Sequence, residues 1–297
     1  MVRPADLREL ALARVVLLDG GLGSMLIAAG LEAGRAPEWW NLDHPERIEA
    51  LHRAYLEAGS DVVHTNTFGG NPLRLAAGGL PGRCREVNSA AVEIARRACG
   101  GTGLVAGDVG PTGHMLPPLG GATVEQLQRA FREQAEALAE AGVDLISIET
   151  MSDLREALAA VEAARATGLA VHASMTFERR RRGVFTIMGD PLVPSLTALA
   201  DAGADAVGCN CSVTSAEMAT MVREAAPLVR VPLSAQPNAG QPRVTLEGVV
   251  YDASPVTFAR DIAAMVEAGA AMVGGCCGTT PEFIRQARAT LDAMAKR

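Results

Sequence analysis

Four phrases recur along the 297-residue chain: Glu57-Ala58-Gly59-Ser60-Asp61-Val62-Val63, Glu140-Ala141-Gly142-Val143-Asp144-Leu145-Ile146, Asp201-Ala202-Gly203-Ala204-Asp205-Ala206-Val207 and Glu267-Ala268-Gly269-Ala270-Ala271-Met272-Val273. Each closes a helical pattern on Ala-Gly and opens an aliphatic run, a structural half-repeat in which a helix C-terminus feeds a strand. Extending the reading gives eight short apolar runs, at 15–18, 61–65, 104–107, 144–148, 170–175, 206–209, 231–235 and 271–274. They are aliphatic and mostly do not alternate with polar residues, as expected for strands covered on both faces. Helical patterns lie between them. Residues 45–58 carry apolar side chains at helical spacing, Thr123 with Gln126 forms a capping box, Asp153 can cap a helix from Leu154, and Thr280 precedes Pro281 as an N-cap.

Eight βα units in a chain of this length predict an α/β fold, a (β/α)8 TIM barrel, as a single domain over 1–297. A doubly wound open sheet is the competing architecture, but no Gly-x-Gly-x-x-Gly follows the first strand with an acid about 20 residues on. The barrel reading places chemistry at the C-terminal strand ends. Those ends carry Asp19, Asn66, Asp108, Glu149, Thr176, Cys211, Gln236 with Asn238, and Cys276-Cys277.

The cysteines are the most specific of these. Four of six fall in Gly208-Cys209-Asn210-Cys211 and Gly274-Gly275-Cys276-Cys277-Gly278-Thr279-Thr280-Pro281, each after an apolar run. Cys211, Cys276 and Cys277 would give zinc three thiolates and leave a fourth position for substrate. Neighbouring cysteines can share one ion only if the backbone leaves strand geometry, which Gly274, Gly275 and Gly278 permit. A buried thiol pair, a vicinal disulfide or a structural zinc remain alternatives on spacing alone. Cys209, two residues before Cys211, is expected in a lower layer of the barrel interior; as a fourth ligand it would close the site. Cys84 and Cys99 read as helix packing residues.

Asp19-Gly20-Gly21 can offer a carboxylate to an ammonium and bring backbone amides close to a ligand; a tight turn is its plain reading. Glu149 is costly to bury without a cationic partner. His64 to Asn71 offers further polar groups, Asp108 is ambiguous between a strand-end functional carboxylate and a brace for the Gly110–Gly113 turn, and His44, His52 and His172 read as structural. Arg179, Arg180, Arg181 and Arg182 read as a solvated loop, or more sharply as a contact for an acidic cofactor tail.

Composition narrows the chemistry. The net charge of −7 argues against nucleic acid or an anionic membrane as the principal partner. No apolar window spans a bilayer and no signal peptide is visible, so the expected location is cytoplasmic, a reducing setting in which cysteines serve metals or catalysis before disulfides. Lys296 is the only lysine and lies in the tail, which excludes a Schiff-base barrel. There is no Gly-x-Ser-x-Gly elbow.

Taken together, Asp19-Gly20-Gly21, Thr65-Asn66-Thr67-Phe68-Gly69, Glu149-Thr150, Asn210-Cys211 and Gly274 to Thr280 resemble the homocysteine S-methyltransferase family over the whole chain. That family includes the homocysteine-binding module of cobalamin-dependent methionine synthase, betaine–homocysteine methyltransferase and the S-methylmethionine-dependent enzymes. The resemblance implies zinc on Cys211, Cys276 and Cys277. It implies the amino group of homocysteine on Asp19 and Glu149, and its carboxylate near the amides of Gly20, Gly21 and Thr65, with Asn66 beside them. It further implies a zinc-bound thiolate attacking an activated methyl group, which yields methionine. The phrase around Asn66 is most like the methionine synthase module, so methylcobalamin on a separate corrinoid protein is the favoured donor. S-Methylmethionine remains open, and so does betaine, for which Trp39 and Trp40 are the candidate cage. The same chemistry on another thiol or methyl carrier, and a zinc- or thiol-sensing module without turnover, are the alternatives.

Overall fold

The computed structural model describes residues 4–32, 34–245 and 248–296. Eight parallel strands run in the order β1 (Val16–Leu17), β8 (Ala270–Val273), β7 (Leu233–Gln236), β6 (Ala206–Asn210), β5 (Ala170–Met175), β4 (Leu145–Met151), β3 (Leu104–Val109), β2 (Val62–His64). A parallel bridge between Leu18 and Val62 brings β2 back to β1 and closes the (β/α)8 barrel.

The half-repeat has a physical basis. Gly59, Gly142, Gly203 and Gly269 all take left-handed φ values, between 93° and 113°, a conformation glycine adopts without steric cost. In three of the four phrases the following aspartate reaches the strand before it. Asp61 Oδ2 accepts from the Leu17 amide at 2.7 Å, Asp144 Oδ2 from Val105 at 2.8 Å, and Asp205 Oδ2 from Val171 at 3.0 Å. Each carboxylate also meets an arginine: Arg14 and Arg288 for Asp61, Arg96 for Asp144, Arg8 for Asp205. Although burial works against them, these partners hold the carboxyls of Asp61 and Asp144 below the usual range. The fourth phrase has Ala271 where the aspartate would stand.

Strand residues sort by parity. Val63, Val105, Ile146, Val171, Val207, Cys209 and Ala235 face the helices in the main core. Val16, Leu18, Val62, Ala106, Leu145, Ala170, Ala206 and Met272 fill the lower barrel interior, where Leu7 and Ala11 of the helix Pro4–Ala13 cover them. Above that layer the interior turns polar. His64 Nε2 lies 3.0 Å from Ser147 Oγ, Ser147 Oγ lies 2.9 Å from His172 Nδ1, and His172 Nε2 lies 2.6 Å from Ser234 Oγ. These buried groups satisfy one another, which is what makes a polar layer tolerable inside a barrel.

Several local expectations are revised. Cys209 faces outward into the helix layer, because the strand alternation that turns Asn210 inward turns Cys209 away. Residues 178–185 form a hairpin, Glu178–Arg180 against Gly183–Phe185; Arg179 and Arg180 are exposed on its first strand, and Arg181 and Arg182 are exposed in its turn. A second hairpin, Pro242–Thr245 against Gly248–Tyr251, had no clear alternation to announce it. Thr280 occupies the N-cap position of the helix Pro281–Ala295, yet its side chain makes no capping bond. The Thr123–Gln126 capping box and the Asp153 cap form as expected.

Leu7 is fully buried where the first helix seals the barrel floor. Leu7→Ala is expected to lower unfolding free energy by about 2–5 kcal/mol, checked by urea denaturation; a change within experimental error would show that this helix is not part of the cooperative core.

Candidate active site

The C-terminal mouth of the barrel opens on a cavity of about 240 Å³ whose lining includes Asp19, Gly20, Gly21, Ser24, His64, Asn66, Phe68, Asp108, Glu149, Thr150, Gln236 and all three candidate metal ligands. This lies below the ~300–1,000 Å³ of drug-sized sites and suits a small polar substrate.

The thiols of Cys211, Cys276 and Cys277 lie within 4.8 Å of one another, with Cys211 Sγ and Cys277 Sγ 3.9 Å apart. Tetrahedral zinc with bonds of about 2.3 Å separates its sulfur ligands by about 3.8 Å. The donor set therefore fits a soft divalent cation in both chemistry and spacing. Hydrogen bonds from Cys276 and Cys277 pull Cys211 down to about 3, while sharing with Cys211 pushes Cys277 up to about 12.

Backbone bonds fix the three sulfurs. The amide of Cys211 donates to the Gln236 carbonyl, that of Cys276 to Pro237, and that of Ala239 to the Cys277 carbonyl. The segment after β7 thus ties β6 to β8. Two devices aim the side chains. Strand β8 ends at Val273, and the tight packing of Gly275 against the Thr279 side chain admits no Cβ. At β6 the reversal uses no glycine: Cys211 has φ 61° and Ser212 φ 59°. A left-handed conformation at non-glycine residues costs on the order of 1–3 kcal/mol each and clusters at functional sites. The turn lets Cys211 face the cavity, although Cys209 two residues earlier faces out.

Among the described residues, Thr150 is the remaining non-glycine residue at positive φ, 60°. It follows Glu149, and Asn210 holds it: the Thr150 amide donates to Asn210 Oδ1 at 2.8 Å, and Asn210 Nδ2 donates to Thr150 Oγ1 at 2.6 Å. Asn210 Nδ2 also lies 3.8 Å from Cys276 Sγ. One buried amide therefore positions both Glu149 and the thiol cluster.

Asp19 is not an isolated carboxylate. His64 Nδ1 lies 2.7 Å from Asp19 Oδ1, and the His64 amide donates to Oδ2 at 2.8 Å. Burial alone would depress His64, but Asp19, with Glu149 and Asp108 nearby, raises it to about 9. Burial and the neighbouring Asp19 and Cys211 push Glu149 up to about 7, and burial with Glu149 raises Asp108 well above the carboxylate range.

Of the amides expected near a substrate carboxylate, Gly21's donates to Thr279 and Thr65's to the Ala106 carbonyl. Gly20 lines the cavity; Thr65 lies beneath it, bonded to Thr67. Asn66 lines the wall, its Nδ2 bonded to Pro37 and Asn41. Neither tryptophan reaches the cavity. Trp40 is buried beside Leu26 and Ile48, and Trp39 donates to the Gly78 carbonyl under Arg35 and Arg83. Phe68 is the aromatic in the lining among the described residues.

Sequence reasoning named His64 only within a polar phrase and Asp108 only as one of the strand-end residues, and it missed the pairing of His64 with Asp19 and the contact of Tyr251 with Cys277. Asp108 could have been found by strand parity from Ala106; His64 could not, because its partner Asp19 lies 45 positions away. Tyr251, from the second hairpin, rests its ring on Gly278 and meets Cys277; burial and that thiol push the phenol up to about 12.

Three thiols converging beside buried carboxylates at a (β/α)8 mouth form a donor set that could hold a metal ion. Comparison with known proteins gives the family. The profile described as homocysteine S-methyltransferase matches residues 16–291. The chain is 34% identical over 311 residues to a methionine synthase of Mycobacterium tuberculosis and 33% identical to that of Mycobacterium leprae, covering 96% of this chain and 25% of each relative. It thus spans about a quarter of the length of these relatives. The metallated homocysteine methyltransferase MmuM of Escherichia coli superimposes with a TM-score of 0.77 at 28% identity, covering 93% of this chain and 96% of that one. A methyltransferase from Methanosarcina mazei, at 15% identity and a TM-score of 0.62, shares the fold. The chain belongs to the homocysteine S-methyltransferase family, a family of methyltransferases.

The raised His64 gives a signed pH prediction. Its stabilising pairing with Asp19 is full below about pH 6.5 and lost as pH rises through about 9. The stability gap between wild type and His64→Gln should therefore shrink by roughly 3 kcal/mol between pH 6 and pH 10. Urea titrations at both values check this; a gap independent of pH would show that His64 is neutral in the folded state.

Proposed function

We propose that this protein methylates the sulfur of homocysteine, with Cys211, Cys276 and Cys277 as zinc ligands. The observation that carries the reading is the convergence of these thiols in one cavity with Asp19 and Glu149. Bound zinc would supply thiolate character to a substrate sulfur that is otherwise mostly protonated at neutral pH. The protein's residues do the rest. Glu149 gives the ammonium end of the substrate a counter-charge, and Gly20 lets the chain approach its carboxylate. Asn210 keeps Glu149 and Cys276 in register. The small cavity excludes bulk water from the sulfur, and its open mouth leaves one approach for a methyl group.

For the donor, similarity to the methionine synthases supports methylcobalamin on a corrinoid carrier outside this barrel. S-Methylmethionine is the second candidate. Betaine is disfavoured, because a quaternary ammonium is held by an aromatic cage and Trp39 and Trp40 stand away from the cavity.

Purified protein is expected to hold about one zinc per chain. Cys277→Ala should lose both the metal and at least about 100-fold in homocysteine methylation, as expected when a ligand of a catalytic metal is removed. Metal analysis and a donor panel of methylcobalamin, S-methylmethionine, S-adenosylmethionine and betaine provide the readouts. Full activity in metal-free protein would sink the proposal.

A further inference from the structure

We propose that Asp108, together with Glu149, receives the ammonium group of the substrate, and that Asp19 serves as the anchor of His64. This rests on the homocysteine reading above. Each oxygen of Asp19 already accepts from His64, one from the ring and one from the backbone amide. Asp108 differs. It lies one residue before the end of β3 with 5% of its surface exposed, it lines the same cavity as Glu149 and the thiols, and its Oδ1 has no hydrogen-bond partner. Its neighbours are satisfied without it: the Asp108 amide takes Thr65 Oγ1, and its carbonyl accepts from Thr67 Oγ1 and Gln134 Nε2. The turn that follows is braced instead by Glu156, which accepts from the amide and hydroxyl of Thr112.

A buried carboxylate oxygen with no donor is costly, so it is expected to gain one when the site is filled. Glu149 also lies close enough to raise the proton affinity of Asp108, a penalty that a single cation between them would relieve. Three carboxylates face this cavity and His64 supplies one compensating positive charge. An ammonium is the group of homocysteine that improves that balance. Asp108 is thus a specificity residue: it favours an amino-acid thiol over a thiol of the same length that lacks the amino group.

The test compares zinc-loaded wild type and Asp108→Asn by isothermal titration with L-homocysteine and with 4-sulfanylbutanoate, which keeps the thiol and carboxylate but has no amino group. No methyl donor is needed. In the variant, the Kd for homocysteine should rise about 10- to 100-fold, the range for losing a hydrogen bond to a charged group, and the Kd for 4-sulfanylbutanoate should change by less than about threefold. Preserved zinc content and preserved affinity for the second thiol show that the variant is folded. An unchanged homocysteine Kd, or equal weakening of both thiols, overturns the assignment of Asp108 while leaving homocysteine as the substrate. Zinc-loaded wild type that binds neither thiol overturns the homocysteine reading itself, and this assignment with it.

Discussion

Thr279 joins the two glycine-rich strand ends on which the cavity depends. Its hydroxyl donates to the Cys276 carbonyl at 2.6 Å, and the Gly21 amide reaches its Oγ1 and carbonyl oxygen, each at 3.0 Å. Tyr55, fully buried, donates to the same carbonyl at 2.8 Å. Gly20 and Gly275 both lie against Thr279, and a Cβ at Gly21 would press on the Cys276 carbonyl. The loop that carries Cys276 and Cys277 is thereby fastened to the loop that carries Asp19. One threonine bonds both loops, so the thiols of Cys276 and Cys277 and the carboxylate of Asp19 are held in one arrangement. This is preorganisation in its plainest form: the geometry is set by the folded backbone before any ligand arrives.

The cavity is also defined by its charge. Asp19, Asp108 and Glu149 share a small, mostly buried space with three thiols. Such a cluster would be unstable without compensation, and the barrel provides it from below. His64 meets Asp19 and passes hydrogen bonds through Ser147 and His172 to Ser234. This chain crosses the interior at the level where a barrel is usually filled with aliphatic side chains. Among the histidines, the two members of this relay respond in opposite directions. Carboxylates raise His64, whereas burial, with His64 nearby, drives His172 down to about 3.

Much of this architecture was legible in the chain. The Ala-Gly-x-Asp phrases announced strand starts because each demands a glycine at positive φ and offers a carboxylate to the neighbouring strand. Cys211, Cys276 and Cys277 stood out because adjacent cysteines flanked by glycine are a poor way to fill a core. The hairpins were less visible: 178–185 is arginine-rich and 242–251 has no clean alternation, so neither carries the period-two signal of a half-buried strand. Cys209 was misplaced because period-two reasoning assumed that Cys211 continued the strand. The left-handed turn at Cys211 and Ser212 breaks that period, and neither residue type advertises it.

The sequence by itself determined the barrel, its strand ends and the identity of the three thiols, because these follow from local periodicity, glycine placement and the chemistry of cysteine. Tertiary structure alone decided how the charges are shared. Whether Asp19 is free or paired, whether Asp108 braces a turn or faces the substrate cavity, and whether Trp39 and Trp40 reach that cavity are questions of proximity between residues far apart in the chain. Electrostatic energy depends on distance and burial, and neither is written in the order of the residues.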